Sequence, residues 1–257
     1  MLTGACGVNR SPFKDHFSER SADYAANRPT YPLELARFLA EHSPACRLAL
    51  DCGCGTGQLS VQLADHFEQV VATDASAAQI AAATPHSFVR YRVAPAEASG
   101  LDAASADLIV AAQAAHWFDL PAFYGETKRV AVPGALLALI TYGVFHVEGD
   151  AEPLIQEFYW KTVGPFWPPG REHVEDKYRS LPFPCDEIDP PDLAIELSWS
   201  RGELLAYIDT WSAMRAAEKA IGRKPFEDFA GKLTEVWPEG EQRKIRWPIS
   251  IRAGHID

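Results

Sequence analysis

A short segment rich in glycine and acid contains the residue types that bind a nucleotide-like ligand. It reads Asp51-Cys-Gly53-Cys-Gly55-Thr-Gly57 after one apolar stretch, and a second apolar stretch ends in Asp74. Alternate glycines let the backbone turn sharply and approach a ligand without Cβ clashes, and the helix that follows offers free N–H groups. An acid ending the second strand is placed to accept hydrogen bonds from ribose hydroxyls. These residues predict a site for a nucleoside cofactor.

The glycine spacing argues against a dinucleotide. A dinucleotide site uses G-x-G-x-x-G, so that the pyrophosphate lies on the helix N-terminus. Counting from Gly53 the third position is Gln58, and counting from Gly55 it is Ser60. A nicotinamide-dependent oxidoreductase is therefore the weaker enzyme alternative. A non-catalytic protein that keeps the nucleoside pocket is the alternative from another functional class.

The elements that must position these residues alternate between strand and helix patterns. Apolar runs predict five strands, and helix-like segments lie between them, which is typical of repeated β-α units on a doubly wound parallel sheet. An amphipathic helix is predicted ahead of the first strand, at residues 32–42. The predicted strands are residues 48–51, 69–74, 88–93, 106–113 and 134–141, and the predicted helices between them are residues 58–67, 76–83 and 120–130.

The second half of the chain follows a different pattern. Residues 153–191 combine prolines with bulky aromatic residues, which favours a covering segment because a linker would lack the apolar bulk. A strand at 193–199, helices at 202–220 and 226–236, and a final strand at 244–252 are predicted next. Pro248 favours an edge position for that last strand. We therefore expect one integrated domain of three parts: an N-terminal cap segment and helix (1–43), a cofactor-binding core (44–145), and a substrate-covering cap with the last two strands (146–257).

Composition excludes several classes of protein. The chain has 257 residues and a net charge of −11, which disfavours a protein whose affinity comes from neutralising nucleic-acid or membrane phosphates. Five cysteines, an odd number, favour reduced intracellular thiols. Cys52 and Cys54 have no second Cys/His pair at zinc spacing, so we expect no metal. Because no export or membrane segment is recognised, we expect a cytoplasmic protein, as a monomer or homodimer.

The glycine segment and Asp74 resemble the first motifs of class I S-adenosylmethionine-dependent methyltransferases. A similarity to the trans-aconitate methyltransferase-like subgroup, of type 11, extends over most of the chain. It includes the N-terminal residues from Phe17 to Pro32, Ala96-Glu97, Asp107 to Val110, Gln113 to Asp119, Arg129 to Gly134, Leu181 to Pro184 and Thr210 to Ala213.

The resemblance implies a seven-stranded Rossmann-like sheet, with a helical cap inserted around the C-terminal strands, and S-adenosylmethionine as the cofactor. It places the glycine segment around the methionine part and the ribose edge, and Asp74 on the ribose diol. Pro95 departs from the family, in which many relatives have an acid that holds the adenine amino group. The cofactor-binding residues it implies are Asp51, Gly53, Gly55, Gly57, Asp74, Ala75, Ala96, Glu97, Gln113, Ala114, Tyr24 and Arg28.

The resemblance also implies transfer of a methyl group by in-line displacement to a small organic acceptor, with a carboxylate as one candidate. Holding the reactants in line is itself worth about 7–11 kcal/mol of barrier, so no catalytic dyad is required. A carboxylate acceptor is already ionised at neutral pH, whereas a hydroxyl, phenol or amine would need a base, for which His116 is the candidate. Packing alone explains a histidine in an aromatic cluster as well. The residues expected to line the acceptor site are Tyr31, His116, Trp117, Tyr142, Trp160, Trp167, Trp211 and Arg215.

Overall fold

A computed structural model describes residues 30–257 of the chain. Its strands form two sheets, one of six strands and one of three. The strands are β1 (Leu48–Cys52), β2 (Gln69–Asp74), β3 (Val89–Val93), β4 (Ala106–Ala112), β5 (Ala131–Thr141), β6 (His146–Val147), β7 (Ala194–Ser200), β8 (Gln242–Pro248) and β9 (Ser250–His255).

Helices connect the parallel strands and then dominate the second half. They are α1 (Leu33–Glu41), α2 (Gln58–Leu63), α3 (Ala77–Ala81), α4 (Leu120–Val130), α5 (Ala151–Glu157), α6 (Arg171–Glu175), α7 (Arg201–Asp209), α8 (Ser212–Ile221) and α9 (Lys224–Val236). Two 3-10 turns lie at Ala115–Trp117 and Gly164–Phe166, and a π-helix at Phe158–Val163 continues α5.

The large sheet has the strand order β3-β2-β1-β4-β5-β9. The first five strands are parallel, and β9 joins β5 antiparallel. Since β1 lies in the centre between β2 and β4, the chain reverses direction across the sheet at β1. In open α/β sheets this switch point, at the carboxyl ends of the strands, is where ligands bind. The predicted α/β class is confirmed.

Apolar residues cover both faces of the large sheet. Successive side chains of a strand point to opposite faces, and Leu108 and Val110 of β4 pack with the helical second half whereas Ile109 and Ala111 pack with α4. Strands buried on both faces read as continuous apolar runs. This burial explains why the five core strands could be located from the sequence to within a few residues.

The last part of the chain departs from the predicted seven-stranded sheet. Six strands form the large sheet within residues 30–257, and the predicted strand at 193–199 became β7 of the small antiparallel sheet, ordered β6-β8-β7. The predicted strand at 244–252 is two strands. Pro248 ends β8, and the N–H of Ile249 then donates to the carbonyl of Leu193 (2.9 Å) before β9 begins. The expected edge position for Pro248 is wrong, since β8 is the central strand of the small sheet.

The predicted helix at 202–220 is also divided in two. The helix α7 begins with a capping box, in which Ser200 and Glu203 bond each other's backbone N–H groups. It ends at Asp209, and α8 starts at Ser212. The side chain of Trp211, the N-cap of α8, is buried between them. Because the helix is interrupted here, the indole of Trp211 points into the hydrophobic core of the second half.

Three further expectations concern the N-terminal segment, metal binding and membrane-spanning helices. Tyr24 and Arg28 lie outside the described residues. Across residues 30–257 no group of three or more His, Cys, Asp or Glu side chains is arranged to hold a metal ion. In the same part of the chain, no helix is both long and apolar enough to span a bilayer.

A buried carboxylate fixes β1 against β4. Asp107 is fully buried, and its Oδ2 accepts from the backbone N–H groups of Arg47 and Leu48, each at 3.0 Å. Its Oδ1 accepts from the Arg47 guanidinium at 3.1 Å. The role of this family motif residue is therefore structural, because it sets where the central strand begins.

We expect Asp107→Ala to lower the free energy of unfolding by about 2–5 kcal/mol, because two buried N–H groups lose their acceptor. Urea denaturation measures it. Arg47→Ala is the matched control, since it removes only the half-exposed ion pair and should cost under about 1 kcal/mol. Equal losses in both variants would contradict this account.

Candidate functional site

The glycine segment forms a tight loop after β1. Gly53, Gly55 and Gly57 all have positive φ (69°, 57° and 83°), a conformation that costs other residues strain. A Cβ on Gly53 would lie 2.5 Å from that of Ala114, and a Cβ on Gly57 would collide with the ring of Tyr91. Beside Gly55 the nearest atom is 3.9 Å away. The loop is therefore packed at both ends and has room for a ligand at its middle.

Asp51, at the end of β1, is buried beneath this loop. Its Oδ2 accepts from the Ser60 hydroxyl at 2.6 Å, whereas its Oδ1 has no hydrogen-bond partner among residues 30–257. The pKa of this carboxyl is raised to about 7, mainly by burial and in part by the charge of Asp74, while the Ser60 hydrogen bond opposes the rise. An orphaned buried oxygen of this kind is suited to a cationic or hydrogen-bond-donating ligand.

Asp74 ends β2 and organises the same loop. Its Oδ2 accepts from the N–H of Gly55 (2.9 Å), and its Oδ1 accepts from the N–H of Ser76 (2.8 Å). Ser76 in turn caps α3 by accepting from the N–H of Gln79. Each carboxylate oxygen has a second lone pair, so Asp74 retains acceptor capacity for a ribose diol.

The segment after β3 forms another side of this edge. Ala75 is exposed, and Ala96 is buried in the core. Glu97 is half-buried, and its Oε1 accepts from the N–H of Asp119 at 2.9 Å, which ties this segment to the start of α4. Pro95, which replaces the acid of many relatives, is exposed.

The end of β4 carries a conformational outlier. Gln113 has φ of 56°, which is uncommon for a residue other than glycine and marks sites under constraint. Its amide donates to the carbonyl of Tyr142 (2.8 Å) and accepts from the Thr141 hydroxyl (2.9 Å). These two bonds attach the end of β4 to the end of β5. The turn then places Ala114 against Gly53 and leads into the 3-10 turn at Ala115–Trp117.

His116 lies in this turn, half-buried beside a tyrosine. Its Nδ1 is 2.7 Å from the hydroxyl of Tyr178. Burial, with smaller contributions from the Arg171 guanidinium and the neighbouring His173, lowers the pKa of His116 to about 3. The imidazole is therefore neutral at physiological pH. It lies close enough to Arg171 for the guanidinium charge to disfavour its protonation.

Three large aromatic rings adjoin this edge in the second half. Ring centroids of Tyr159 and Trp167 are 5.5 Å apart, those of Tyr159 and Trp211 are 5.4 Å apart, and those of Trp167 and Trp211 are 5.6 Å apart. The indole N–H of Trp167 is buried with no hydrogen-bond acceptor among residues 30–257. We call these three residues the aromatic cluster.

A guanidinium lies against the aromatic cluster. The charged carbon of Arg171 is 4.4 Å from the ring centroid of Trp167, a cation–π distance. Its Nε donates to Glu175 (2.8 Å) and to the hydroxyl of Tyr159 (3.0 Å), and that hydroxyl also bonds Glu175. Its Nη2 also donates to the hydroxyl of Tyr159.

The structure gathers some of the predicted acceptor-site residues and not others. Tyr31 and Tyr142 are buried with their rings edge to face at 6.1 Å, and Trp117 packs on His116 at 4.8 Å with 39% of its surface exposed. Trp160 is 51% exposed and bonds Gln156. Arg215 is exposed on α8 and bonds the carbonyl of Thr210. The ring of Trp160 packs edge to face on Tyr159 of the aromatic cluster at 4.9 Å, from the solvent side. The assignment of Trp160 and Arg215 to the acceptor site stays a sequence prediction.

Sequence reasoning missed four residues that the fold brings together here: Tyr159, Arg171, Glu175 and Tyr178. One signal for Arg171 was its position directly after Pro168-Pro169-Gly170, which begins a helix where Gly170 has φ of 92°. The π-helix that presents Tyr159 has no comparable sequence signature. Such helices occur often at functional sites.

The residues after β1 and β2 fit S-adenosylmethionine. The glycine loop leaves open space at Gly55, the orphaned oxygen of Asp51 is available to a cationic group, and Asp74 can accept from a ribose. No glycine stands at the third dinucleotide position.

Comparison with known proteins identifies the family. Residues 50–139, from β1 into β5, match the family described as "Methyltransferase domain". A protein of Dictyostelium discoideum named as a methyltransferase is 35% identical over 239 residues, covering 91% of each chain.

Solved structures show the same relationship. One described as a type II methyltransferase from Anaeromyxobacter dehalogenans has 46% identity and a TM-score of 0.85, covering 89% of this chain and 97% of its own. A protein of Anabaena variabilis named as a methyltransferase has 18% identity and a TM-score of 0.55 over 86% of this chain and 98% of its own, and it shows a shared fold alone. The trans-aconitate subgroup stays a prediction. The chain belongs to the class I methyltransferases, enzymes that take their methyl group from S-adenosylmethionine.

Proposed function

We propose that this methyltransferase transfers the methyl group to the carboxylate of a small, flat organic acid. The observation that carries the proposal is the position of Arg171, which lies on the aromatic cluster and close enough to His116 to lower its pKa. The other proposed contacts are Tyr31, Tyr142 and Trp117, which lie at or beside the ends of β4 and β5.

An unpaired donor and a guanidinium lie at the aromatic cluster. The indole N–H of Trp167 is buried and lacks an acceptor among residues 30–257, and the Arg171 guanidinium lies over the same ring. Glu175 bonds Arg171 and Tyr159 through its Oε1. Burial raises the pKa of Tyr159, so its hydroxyl stays neutral. Unpaired donors favour a ligand that brings oxygen acceptors, and a guanidinium matches a carboxylate in shape. Flat aromatic walls favour an acceptor with an unsaturated or aromatic body.

The protonation state of His116 disfavours acceptors that need deprotonation. A general base works best when its pKa lies near the working pH, and the pKa of His116 is lowered to about 3, mainly by burial and in part by the Arg171 guanidinium. Such an imidazole accepts a proton from a phenol or an amine poorly. A carboxylate is already ionised and requires no base.

Orientation and exclusion of water are therefore the main contributions of this chain to the reaction. S-Adenosylmethionine supplies an electrophilic methyl group on a sulfonium. We propose that Asp51, Gly53, Gly55, Gly57, Asp74, Ala75, Ala96, Glu97, Gln113 and Ala114 hold it, with Tyr24 and Arg28 of the N-terminal segment closing the site. Residues 146–257 would cover the acceptor, in keeping with the position of Glu175, which bonds Tyr159 of the aromatic cluster and lies beside Gly143 just after β5. An acceptor oxygen held in line with the methyl group needs no further chemistry.

A reduced, cytoplasmic setting is part of the proposal. Cys46, Cys52, Cys54 and Cys185 are free thiols in the described part of the chain. Burial raises the pKa of Cys52 and of Cys54, so both stay protonated and unreactive.

The test is turnover with a panel of acceptors. The purified enzyme and S-adenosylmethionine are incubated separately with unsaturated and aromatic carboxylic acids, phenols and amines, and S-adenosylhomocysteine and methylated products are measured by mass spectrometry. We expect methyl esters from the acids. Arg171→Met should raise KM for the acid at least about tenfold, the value of one charged hydrogen bond, and Arg171→Lys less.

Arg223→Met is the matched control, since Arg223 also stacks on an aromatic ring, Phe226, and pairs with acids on the surface. Its KM should not change. Methylation of phenols or amines in preference to acids would contradict the carboxylate proposal. Cofactor binding without turnover on any acceptor would favour the non-catalytic alternative.

Cofactor affinity should depend on the charge of Asp51. Because burial raises its pKa to about 7, this carboxyl is protonated at pH 5.5 and largely ionised at pH 7.5. The ionised form attracts the cationic methionine end, so the affinity for S-adenosylmethionine should rise about tenfold from pH 5.5 to 7.5, with proton release on binding below pH 7. Isothermal titration at several pH values measures both quantities.

Asp51→Asn cannot ionise, so its affinity should be weak and nearly independent of pH. Asp65→Asn is the control, because it removes an exposed acid away from the glycine loop. Its affinity for S-adenosylmethionine should depend on pH as that of the wild type does. If the affinity of Asp51→Asn for S-adenosylmethionine changed with pH as that of the wild type does, Asp51 would not be part of the cofactor site.

A further inference from the structure

The short helix α6 carries Arg171 and Glu175 across the ends of β4 and β5. At its start, a Cβ on Gly170 would lie 3.2 Å from the carbonyl oxygen of His116, in the turn after β4. At its end, a Cβ on Gly143 would lie 3.2 Å from Oε2 of Glu175, just after β5. Gly143 does not have a positive φ, so this contact uses its small size and not its backbone freedom. The helix therefore packs closely against both strand ends.

The turn that follows α6 attaches this helix to the large sheet. Lys177 and Tyr178 both have positive φ (65° and 61°), a conformation that bulky residues keep only where the surrounding structure enforces it. The N–H of Tyr178 donates to the carbonyl of His173 (2.7 Å). From β9, Nη1 of Arg252 donates to the carbonyl of Tyr178 (2.8 Å). The backbone of α6 is thus held at its end as well as at its start.

One carboxylate oxygen of α6 joins Arg171 to Tyr159. Oε1 of Glu175 accepts from Nε of Arg171 (2.8 Å) and from the hydroxyl of Tyr159. The same hydroxyl oxygen accepts from Nε (3.0 Å) and from Nη2 of Arg171. Because a guanidinium only donates and the carboxylate paired with it only accepts, the Tyr159 hydroxyl donates to Glu175. We call these three side chains the anchoring triangle.

The anchoring triangle holds the guanidinium against the aromatic cluster. The charged carbon of Arg171 is 4.4 Å from the ring centroid of Trp167. The side chains of Arg171 and Glu175 are only 21% and 17% exposed, so solvent screens the ion pair little. An arginine that a ligand must immobilise loses rotamer freedom on binding. A guanidinium that is already fixed does not incur this cost.

We propose that Glu175 is a positioning residue, which together with Tyr159 holds the Arg171 guanidinium over Trp167 in the orientation that binds the acceptor carboxylate. The inference rests on the proposed function for the chemistry of the acceptor, whereas the anchoring triangle does not depend on it. Glu175 acts through Arg171. Its negative charge opposes the binding of an anion, so the benefit of Glu175 comes from the fixed position of the guanidinium.

Two substitutions of Glu175 separate position from charge. Glu175→Gln removes the charge and keeps an oxygen that accepts from both partners, whereas Glu175→Leu removes the charge and the acceptor. If charge alone mattered, both variants would lower KM for the best carboxylic acid of the acceptor panel. We expect KM of Glu175→Gln to be no higher than that of the wild type. Glu175→Leu should raise KM at least about tenfold, the value of one charged hydrogen bond, with an unchanged dissociation constant for S-adenosylhomocysteine.

Gly143→Ala tests the same positioning from outside the anchoring triangle. Its Cβ would press on Oε2 of Glu175 and displace this carboxylate by a few tenths of an ångström. Because small displacements of a binding group weaken productive binding, KM for the acid should rise about threefold. Gly231→Ala in α9 is the matched control, since nothing lies within 4 Å of its Cβ. Its KM should equal that of the wild type.

The outcomes separate the two proposals. A Glu175→Leu enzyme with KM equal to or below that of Glu175→Gln would overturn the positioning role, as would an unchanged KM in Gly143→Ala. If Glu175→Leu does not fold, Glu175→Gln and Gly143→Ala decide. Turnover of phenols or amines alone would refute the carboxylate acceptor. The anchoring triangle is tested without an acceptor by a double-mutant cycle of Tyr159→Phe and Glu175→Gln in urea denaturation. Strict additivity there would refute the triangle, so the two failures are distinguishable.

Discussion

The parallel pairing of β1 between β2 and β4 is the constraint on which the site depends. The pairs Asp51↔Ala72 and Asp51↔Val110 bring the ends of three strands to one edge of the sheet. The glycine loop after β1, Asp74 at the end of β2 and Gln113 after β4 meet there because their strands are in register. The buried carboxylate of Asp107 holds the start of β1 against β4, so a residue at the opposite end of β1 helps to determine where the glycine loop lies.

Small residues are required at this edge for a reason that the spacing alone does not show. Gly53 and Ala114 are in such close contact that a Cβ on the glycine would overlap the alanine. The loop and the end of β4 thus form one packed unit, and Asp74 binds the loop from the other side. A change at any of these positions is expected to move the others. The rigidity suits a reaction whose barrier is lowered chiefly by orientation.

The sequence predicted the core strands of the fold and the glycine turn after β1 because both depend on local patterns. Buried parallel strands are continuous apolar runs, and a turn that needs positive φ selects glycine. The structure of the second half was harder to predict from the sequence. The single strand predicted at 244–252 is divided into β8 and β9. Pro248 ends β8, and the N–H of Ile249 donates to the carbonyl of Leu193 before β9 begins. Arg171, Tyr159 and Tyr178 were missed because their meeting depends on a π-helix and on a left-handed turn at Lys177-Tyr178 that is enforced from β9. Long-range contacts of this kind leave no periodicity in the sequence.

A crystal structure of the enzyme with S-adenosylhomocysteine tests the central claim most directly. The account predicts ribose hydroxyls within hydrogen-bonding distance of the Asp74 carboxylate, the amino-acid end beside Asp51 and the glycine loop, and the sulfur facing the segment from Gln113 to Trp117. A ligand bound elsewhere, or bound here with its sulfur turned away from that segment and from the aromatic cluster, would contradict it.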